Sequence, residues 1–234
     1  MTKELEGRVA LVTGASSGIG RAAALLFAAH GARVGIAARS IDELRKMAED
    51  NPNLFPIECD VSDERQIEHA FEALEHELGP CDLLLNNAGM ILPRLLVDTT
   101  TENWDRHFNV NIRAVFLATR RVLPGMMNNN RGTIVNVASI SGIAGLPKYP
   151  GFGAYCAAKA AVIAFTEATS SELQGTNVRI NAVSPGSVDT KMLKEASESF
   201  TPSMTTEEVA ETILFLSTDR SRPLNGQNLG VYAI

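Results

Sequence analysis

The 234-residue chain predicts an α/β domain built on a doubly wound parallel sheet, and three observations carry that prediction. An apolar run, Val9 to Val12, leads through the glycine-rich stretch Thr13-Gly14-Ala15-Ser16-Ser17-Gly18-Ile19-Gly20 into a helix-forming segment, Arg21 to His30, ended by Gly31. Strand-like and helix-like segments then alternate with short connections, the rhythm of successive crossovers. The strand-like segments are continuous apolar runs without polar alternation, as expected of strands covered on both faces.

Taken in order, Arg33 to Ala37 reads as the second strand. Ser40 and Glu43 have the spacing of a capping box, opening a helix that runs to about Asp50, before Pro52. Leu54 to Cys59 is the third strand. A helix from about Asp63 to Leu78 follows, closed by Gly79-Pro80, and Cys81 to Asn86 is a fourth, almost wholly apolar strand. A long helix is expected from about Thr101 to Met127, with a bend at Pro124. Gly132 to Val137 is a strand, Tyr155 to Leu173 a helix and Val178 to Val183 a strand. Residues 184 to 204 break the rhythm and are the expected mobile segment. Thr205 and Glu208 form a second capping box, opening a helix to about Thr218, and Leu229 to Val231 closes the sheet. No linker, repeat or low-complexity tract interrupts the chain, so residues 1–234 are read as one domain.

Composition bounds the function. The chain is 45% hydrophobic and 21% charged, ordinary for a globular protein. A net charge of −6 gives no pull towards nucleic acid or an anionic membrane. Cys59, Cys81 and Cys156 are dispersed and lack Cys-x-x-Cys spacing, which suits free thiols in a reducing compartment. The N-terminus has no apolar signal region and no run is long enough to span a bilayer, so a cytoplasmic location is expected. His69, Glu72 and His76 share a helical face, but the surrounding Glu68, Glu75 and Glu77 make it a solvated face rather than a metal site.

The glycine-rich turn carries the first chemistry. Glycines let the chain turn sharply and a pyrophosphate approach, and the N–H groups and dipole of the following helix favour its charge. Four more stretches accompany it: Asn86-Asn87-Ala88-Gly89, Asn111, Ser139 with Tyr155-Cys156-Ala157-Ala158-Lys159, and Ser184-Pro185-Gly186. Together, over roughly residues 7 to 230, these resemble the compact single-domain branch of the short-chain dehydrogenase/reductase family. The resemblance implies a Rossmann fold of about seven strands and hydride transfer between a nicotinamide and a ketone or secondary alcohol.

Tyr155 and Lys159 are four apart on a helix and share a face. A nearby ammonium is expected to lower the phenol from its ordinary pKa of about 10 towards a value useful for proton transfer. The resemblance implies that Tyr155 is the acid or base, that Lys159 tunes it and holds the nicotinamide ribose, that Ser139 orients the carbonyl oxygen, and that Asn111 holds a relay water. Ser141 competes with Ser139, and the Ser139–Tyr155 gap is a few residues longer than usual, through Pro147 to Gly153, a loop expected to border the substrate cleft. The cofactor set implied is Gly14, Ser16, Ser17, Gly18, Ile19 and Gly20 for pyrophosphate and ribose, and Asp60 and Val61 beside adenine. Asn87, Ala88 and Gly89 pack close to the cofactor, and Pro185, Gly186, Val188 and Thr190 grip the nicotinamide end.

Ala38 stands where an NAD enzyme carries an acid, and Arg39 and Ser40 follow, so NADP(H) is favoured over NAD(H) and net reduction is expected. The resemblance leaves the substrate open among 3-ketoacyl thioesters, steroids, sugars and small ketones. The rival readings are a nucleotide-binding scaffold without turnover and an NAD-dependent alcohol dehydrogenase of the same fold. A homodimer or homotetramer pairing through residues 101–127 and 155–173 is implied. Met192, Leu193, Phe200 and Met204 suggest a short apolar lid, and Tyr232-Ala233-Ile234 replaces the Asp-Gly-Gly common at the family's C-terminus.

Overall fold

The computed structural model describes residues 3–196 and 201–232. Seven parallel strands form one sheet in the order β3-β2-β1-β4-β5-β6-β7: β1 Val9–Thr13, β2 Arg33–Ala38, β3 Leu54–Glu58, β4 Leu83–Asn86, β5 Gly132–Val137, β6 Val178–Pro185 and β7 Asn228–Val231. Alternate residues of β1 serve opposite cores. Ala10 and Val12 pack with one cluster and Val9 and Leu11 with the other. That is why the strand is apolar at successive positions.

The first core lies under α1 (Gly18–Ala29), α2 (Ile41–Glu49) and α8 (Thr206–Ser217). The opposite face is covered by α3 (Glu64–Leu78), α5 (Ala114–Asn128) and α6 (Gly153–Glu172), with α4 (Thr101–Phe108) leading into α5. The strand order reverses at β1, which lies between β2 and β4. Connections therefore leave to opposite sides there, opening a crevice beyond the carboxyl ends of the strands.

Several local expectations change. The long helix is broken not at Pro124, which α5 passes through, but at Asn109–Arg113, a π turn joining α4 to α5. The Ser40–Glu43 capping box does not form. Ser40 lacks the extended N-cap conformation, its side chain makes no capping bond, and Glu43 pairs instead with Lys46 at 3.3 Å. The Thr205–Glu208 box does form, closing the start of α8 reciprocally. Between residues 184 and 204, β6 runs on to Pro185, α7 spans Lys191–Ala196 and Val188 bridges Met204. Phe200, Ala233 and Ile234 lie outside the described residues. All three cysteines are free, and burial pushes the Cys59 and Cys81 thiols up to about 12.

Candidate active site

A cleft of about 820 Å³ opens over the carboxyl ends of the strands. Its floor at one end is the β1–α1 turn. Gly14 has φ +67°, and a Cβ there would sit 2.8 Å from Ala88 Cα. Only glycine allows β1 and the segment after β4 to meet this closely. The β4 segment is tied to that turn by Asn87, whose Nδ2 donates to Thr13 O at 2.9 Å and Gly14 O at 3.2 Å, while the Asn87 and Ala88 amides both donate to Thr13 Oγ1 at 3.1 Å.

Gly14, Ser16, Ser17, Gly18 and Ile19 face the cleft, as do Asp60, Val61, Asn87, Ala88, Gly89, Pro185, Gly186, Val188 and Thr190. Gly20 is not on the cleft wall. It is buried below the turn, where any side chain would run into the Asn87 amide. Asp60 lines the cleft, but its Oδ1 already accepts from the Ser62 amide at 2.9 Å and hydroxyl at 2.7 Å. Arg39 and Ser40 reach the cleft at the end of β2 beside the nearly buried Ala38. Arg39 is exposed and, among the described residues, has no acidic partner.

These features fit a dinucleotide. The first turn of α1 contains no acidic side chain and Ser17 makes no capping bond, so its N–H groups are directed at the cleft with no side-chain acceptor of their own.

At the other end, β5 delivers Ser139 and the start of α6 delivers Tyr155 and Lys159. Ser139 Oγ accepts from the Ser141 amide at 3.1 Å, and it is Ser139 rather than Ser141 that hydrogen-bonds the Tyr155 phenol. Lys159 is 4% exposed, and its Nζ donates to Val137 O at 2.7 Å and sits 5.8 Å from the Tyr155 ring centroid.

The electrostatics correct the sequence expectation. Crowding by protein atoms pushes the phenol up to about 12, against the Ser139 hydrogen bond that pulls it down. Burial lowers Lys159 to about 8. The Lys159 ammonium is turned to the Val137 carbonyl, and desolvation of the phenol outweighs the pull of the Ser139 hydrogen bond. Tyr155 is protonated at neutral pH, as an ordinary phenol is, and desolvation moves it further from the phenolate.

Asn111 stands one layer behind the cleft, fully buried in the π turn. Its Oδ1 accepts from Met90 N at 3.1 Å, and its Nδ2 donates to Met90 O and His107 O, both at 3.0 Å. A Cβ on Gly89 would lie 3.0 Å from Asn111 Oδ1 and 3.5 Å from Lys159 Nζ, so this glycine keeps open the space between the two.

The cleft also uses residues that sequence reasoning passed over. Met90 and Ile91 continue the Asn-Asn-Ala-Gly segment, and Glu102, Asp105, Arg106, Asn109 and Val110 form a stripe along α4 and the π turn. Their three-to-four-residue spacing was the available signal. As expected of the Pro147–Gly153 loop, Tyr149 and Phe152 line the cleft, with Phe152 edge-on to Tyr155 at 6.2 Å between centroids. Met192 and Leu193 line it too. Met204 does not; it returns to bridge Val188 and pack on the α1–α8 core.

Residues 8–200 match the family model described as short chain dehydrogenase. The chain belongs to the short-chain dehydrogenase family. It is 41% identical to the 3-oxoacyl-acyl-carrier-protein reductase FabG of Thermotoga maritima, over 97% of both chains. It is 37% identical to 2,3-dihydro-2,3-dihydroxybenzoate dehydrogenase of Bacillus subtilis, over 81% of this chain and 73% of that protein. A crystal structure of a short-chain type dehydrogenase/reductase from Mycobacterium marinum superposes with a TM-score of 0.91 at 31% identity, covering 98% of this chain and 96% of that one. As a short-chain dehydrogenase the chain is an oxidoreductase acting on CH–OH and C=O groups with a nicotinamide cofactor. Among the described residues no helix is long and apolar enough to cross a membrane.

Proposed function

We propose that this short-chain dehydrogenase is an NADP(H)-dependent carbonyl reductase, with 3-ketoacyl thioesters the first substrates to test. The observation that carries the cofactor choice is Arg39, exposed in the cleft beside Ala38 and Ser40 without an acidic partner among the described residues. A guanidinium fork there suits a ribose phosphate, and no carboxylate at position 38 competes for the ribose hydroxyls. The name of the Thermotoga relative supports the substrate class.

Bound NADPH supplies hydride to the carbonyl carbon. Ser139 and Tyr155 hold the carbonyl oxygen, and Tyr155 donates its proton as alkoxide charge develops. Desolvation raises the Tyr155 phenol above its ordinary value, so it carries its proton at neutral pH, as the donor role requires. Lys159 stabilises the phenolate left behind, and Asn111 supports a water-borne return of the proton through the space that Gly89 leaves. The enzyme works in the cytoplasm as a homo-oligomer pairing through α5 and α6, where Phe116 is exposed and meets Phe165 edge-on at 6.4 Å.

Titrating the purified protein separately with NADPH and NADH tests the reading. Tighter NADPH binding that Arg39→Ala weakens about tenfold or more, with NADH unaffected, is the expected result. A preference for NADH reverses the cofactor choice and turns attention to alcohol oxidation. Binding of neither favours the scaffold reading.

A further inference from the structure

His107 lies in the last turn of α4 and is 1% exposed. Both its ring nitrogens are engaged. Nδ1 is 2.8 Å from Asn103 O, and Nε2 is 3.1 Å from the Leu92 amide nitrogen. A carbonyl only accepts and an amide N–H only donates, so the proton sits on Nδ1 and the Nε2 lone pair receives Leu92. The first bond is local to the helix. The second leaves it and fastens a segment of irregular backbone.

That segment runs from the end of β4 towards α4 and forms one wall of the cleft through Asn87, Ala88, Gly89, Met90 and Ile91. Without a regular ladder, it is held by separate anchors. Asn87 is tied to the β1–α1 turn, Met90 to Asn111 and Leu92 to His107, while the Arg94 amide donates to Gly151 O at 2.9 Å. The last anchor joins the segment to the loop carrying Phe152, which packs on Tyr155. Met90 and Ile91 therefore line the cleft next to the end where Phe152 and Tyr155 stand, with Leu92 and Arg94 anchored just beyond them. His107 and Asn111 are one turn apart and hold the wall on either side of Ile91.

We infer that His107 is a positioning residue for the carbonyl substrate, fixing the Met90–Leu92 wall through its Nε2 bond to Leu92. It touches neither the reacting atoms nor the dinucleotide end of the cleft. Its loss leaves a backbone N–H without its acceptor and lets the wall at Ile91 shift. Substrate capture suffers, whereas cofactor binding, anchored at the β1–α1 turn, does not.

Two near-isosteric variants separate this role from simple packing. In His107→Gln the side-chain oxygen reaches the position of Nε2 and can accept from Leu92. In His107→Asn the amide reaches only the position of Nδ1, keeping the Asn103 contact and losing Leu92. The expected result is a carbonyl-substrate KM near wild type for Gln and raised about tenfold for Asn, with kcat and the NADPH dissociation constant within about twofold in both. Hydrogen exchange of the peptide covering residues 88–95 should rise in His107→Asn and not in His107→Gln. Gln and Asn variants that behave alike, in KM and in exchange, overturn the inference.

The kinetic half rests on the reductase reading, but the exchange half does not. If the wild type turns over no carbonyl compound, that reading fails while the Leu92 anchor is still decided by exchange.

Discussion

Helices that open onto the cleft are finished differently from those that open elsewhere. α5 continues straight out of the π turn and α7 is only six residues long, so neither has a start of this kind. The N-cap residues of α1, α2 and α6 are Ser17, Ser40 and Phe152, all on the cleft wall, and none makes a side-chain capping bond. The N-cap residues of α3, α4 and α8 are Asp63, Thr100 and Thr205, none of which lines the cleft, and each accepts a first-turn N–H. The bond from the Arg65 amide also holds the Asp63 carboxyl below its ordinary range. An N-cap bond is worth about 1 kcal/mol, so three helices forgo a stabilisation of that order where they open onto the cleft. Two of the open caps are serines, a good capping residue type, so residue identity alone does not distinguish the two groups.

This contrast can be broken at the α6 start with the largest effect. Tyr155→Phe keeps the ring against Phe152 and removes only the hydroxyl. Turnover of any carbonyl substrate should fall about a thousandfold with NADPH affinity little changed, read by steady-state kinetics and titration. Near-normal turnover would remove Tyr155 from the proton transfer.

One turn further on, Lys159 tests what burying a charge beside the cleft costs. Its folded pKa of about 8 lies below the ordinary 10.5. Between those values the unfolded chain holds a proton that the folded chain has released, so wild-type stability rises with pH through that window. Lys159→Met removes the penalty. The variant should be inactive, and its stability relative to wild type should be higher at pH 7 than at pH 10.5, offset at both by the lost bond to Val137 O. Denaturant melts at pH 7 and pH 10.5 check the sign.

The α1 start can be closed deliberately. Ser17→Asp places a carboxylate at the helix N-terminus, where it can cap the first turn and favour the dipole. The melting temperature should rise modestly while NADPH affinity drops about tenfold to a hundredfold, because the new oxygen competes with the pyrophosphate. A variant that binds NADPH as well as wild type would mean that this helix end is not the phosphate site.

The smallest effect belongs to the control at α8. Thr205→Ala breaks a complete capping box and should cost about 1 kcal/mol in denaturant melts, with kcat, KM and cofactor affinity unchanged. A loss of affinity here would blur the division between open and closed helix ends.

Much of this was legible before the fold was known. The glycines of the β1–α1 turn, the Tyr155–Lys159 pair and the apolar strands are local patterns, governed by chain geometry and periodicity over a few residues. The Thr205 box was equally local. The Ser40 box has the same letters at the same spacing but did not form, because the path of the chain out of β2 sets the backbone at Ser40. The π turn left no local mark either. It occurs where Asn111 bonds both Met90 and His107, and Met90 belongs to a segment brought in from the end of β4.

The amino-acid sequence by itself determined the class of sheet, the glycine-rich β1–α1 turn, the Tyr155–Lys159 pair on one helix face and the arginine at the end of the second strand. Each depends on residues close together in the chain. Tertiary structure alone decided which helix ends stay open, that Gly20 supports the cleft from below rather than lining it, that desolvation raises the Tyr155 phenol, and that His107 reaches Leu92. Those outcomes depend on which atoms distant segments place beside one another, and on how much water they exclude in doing so.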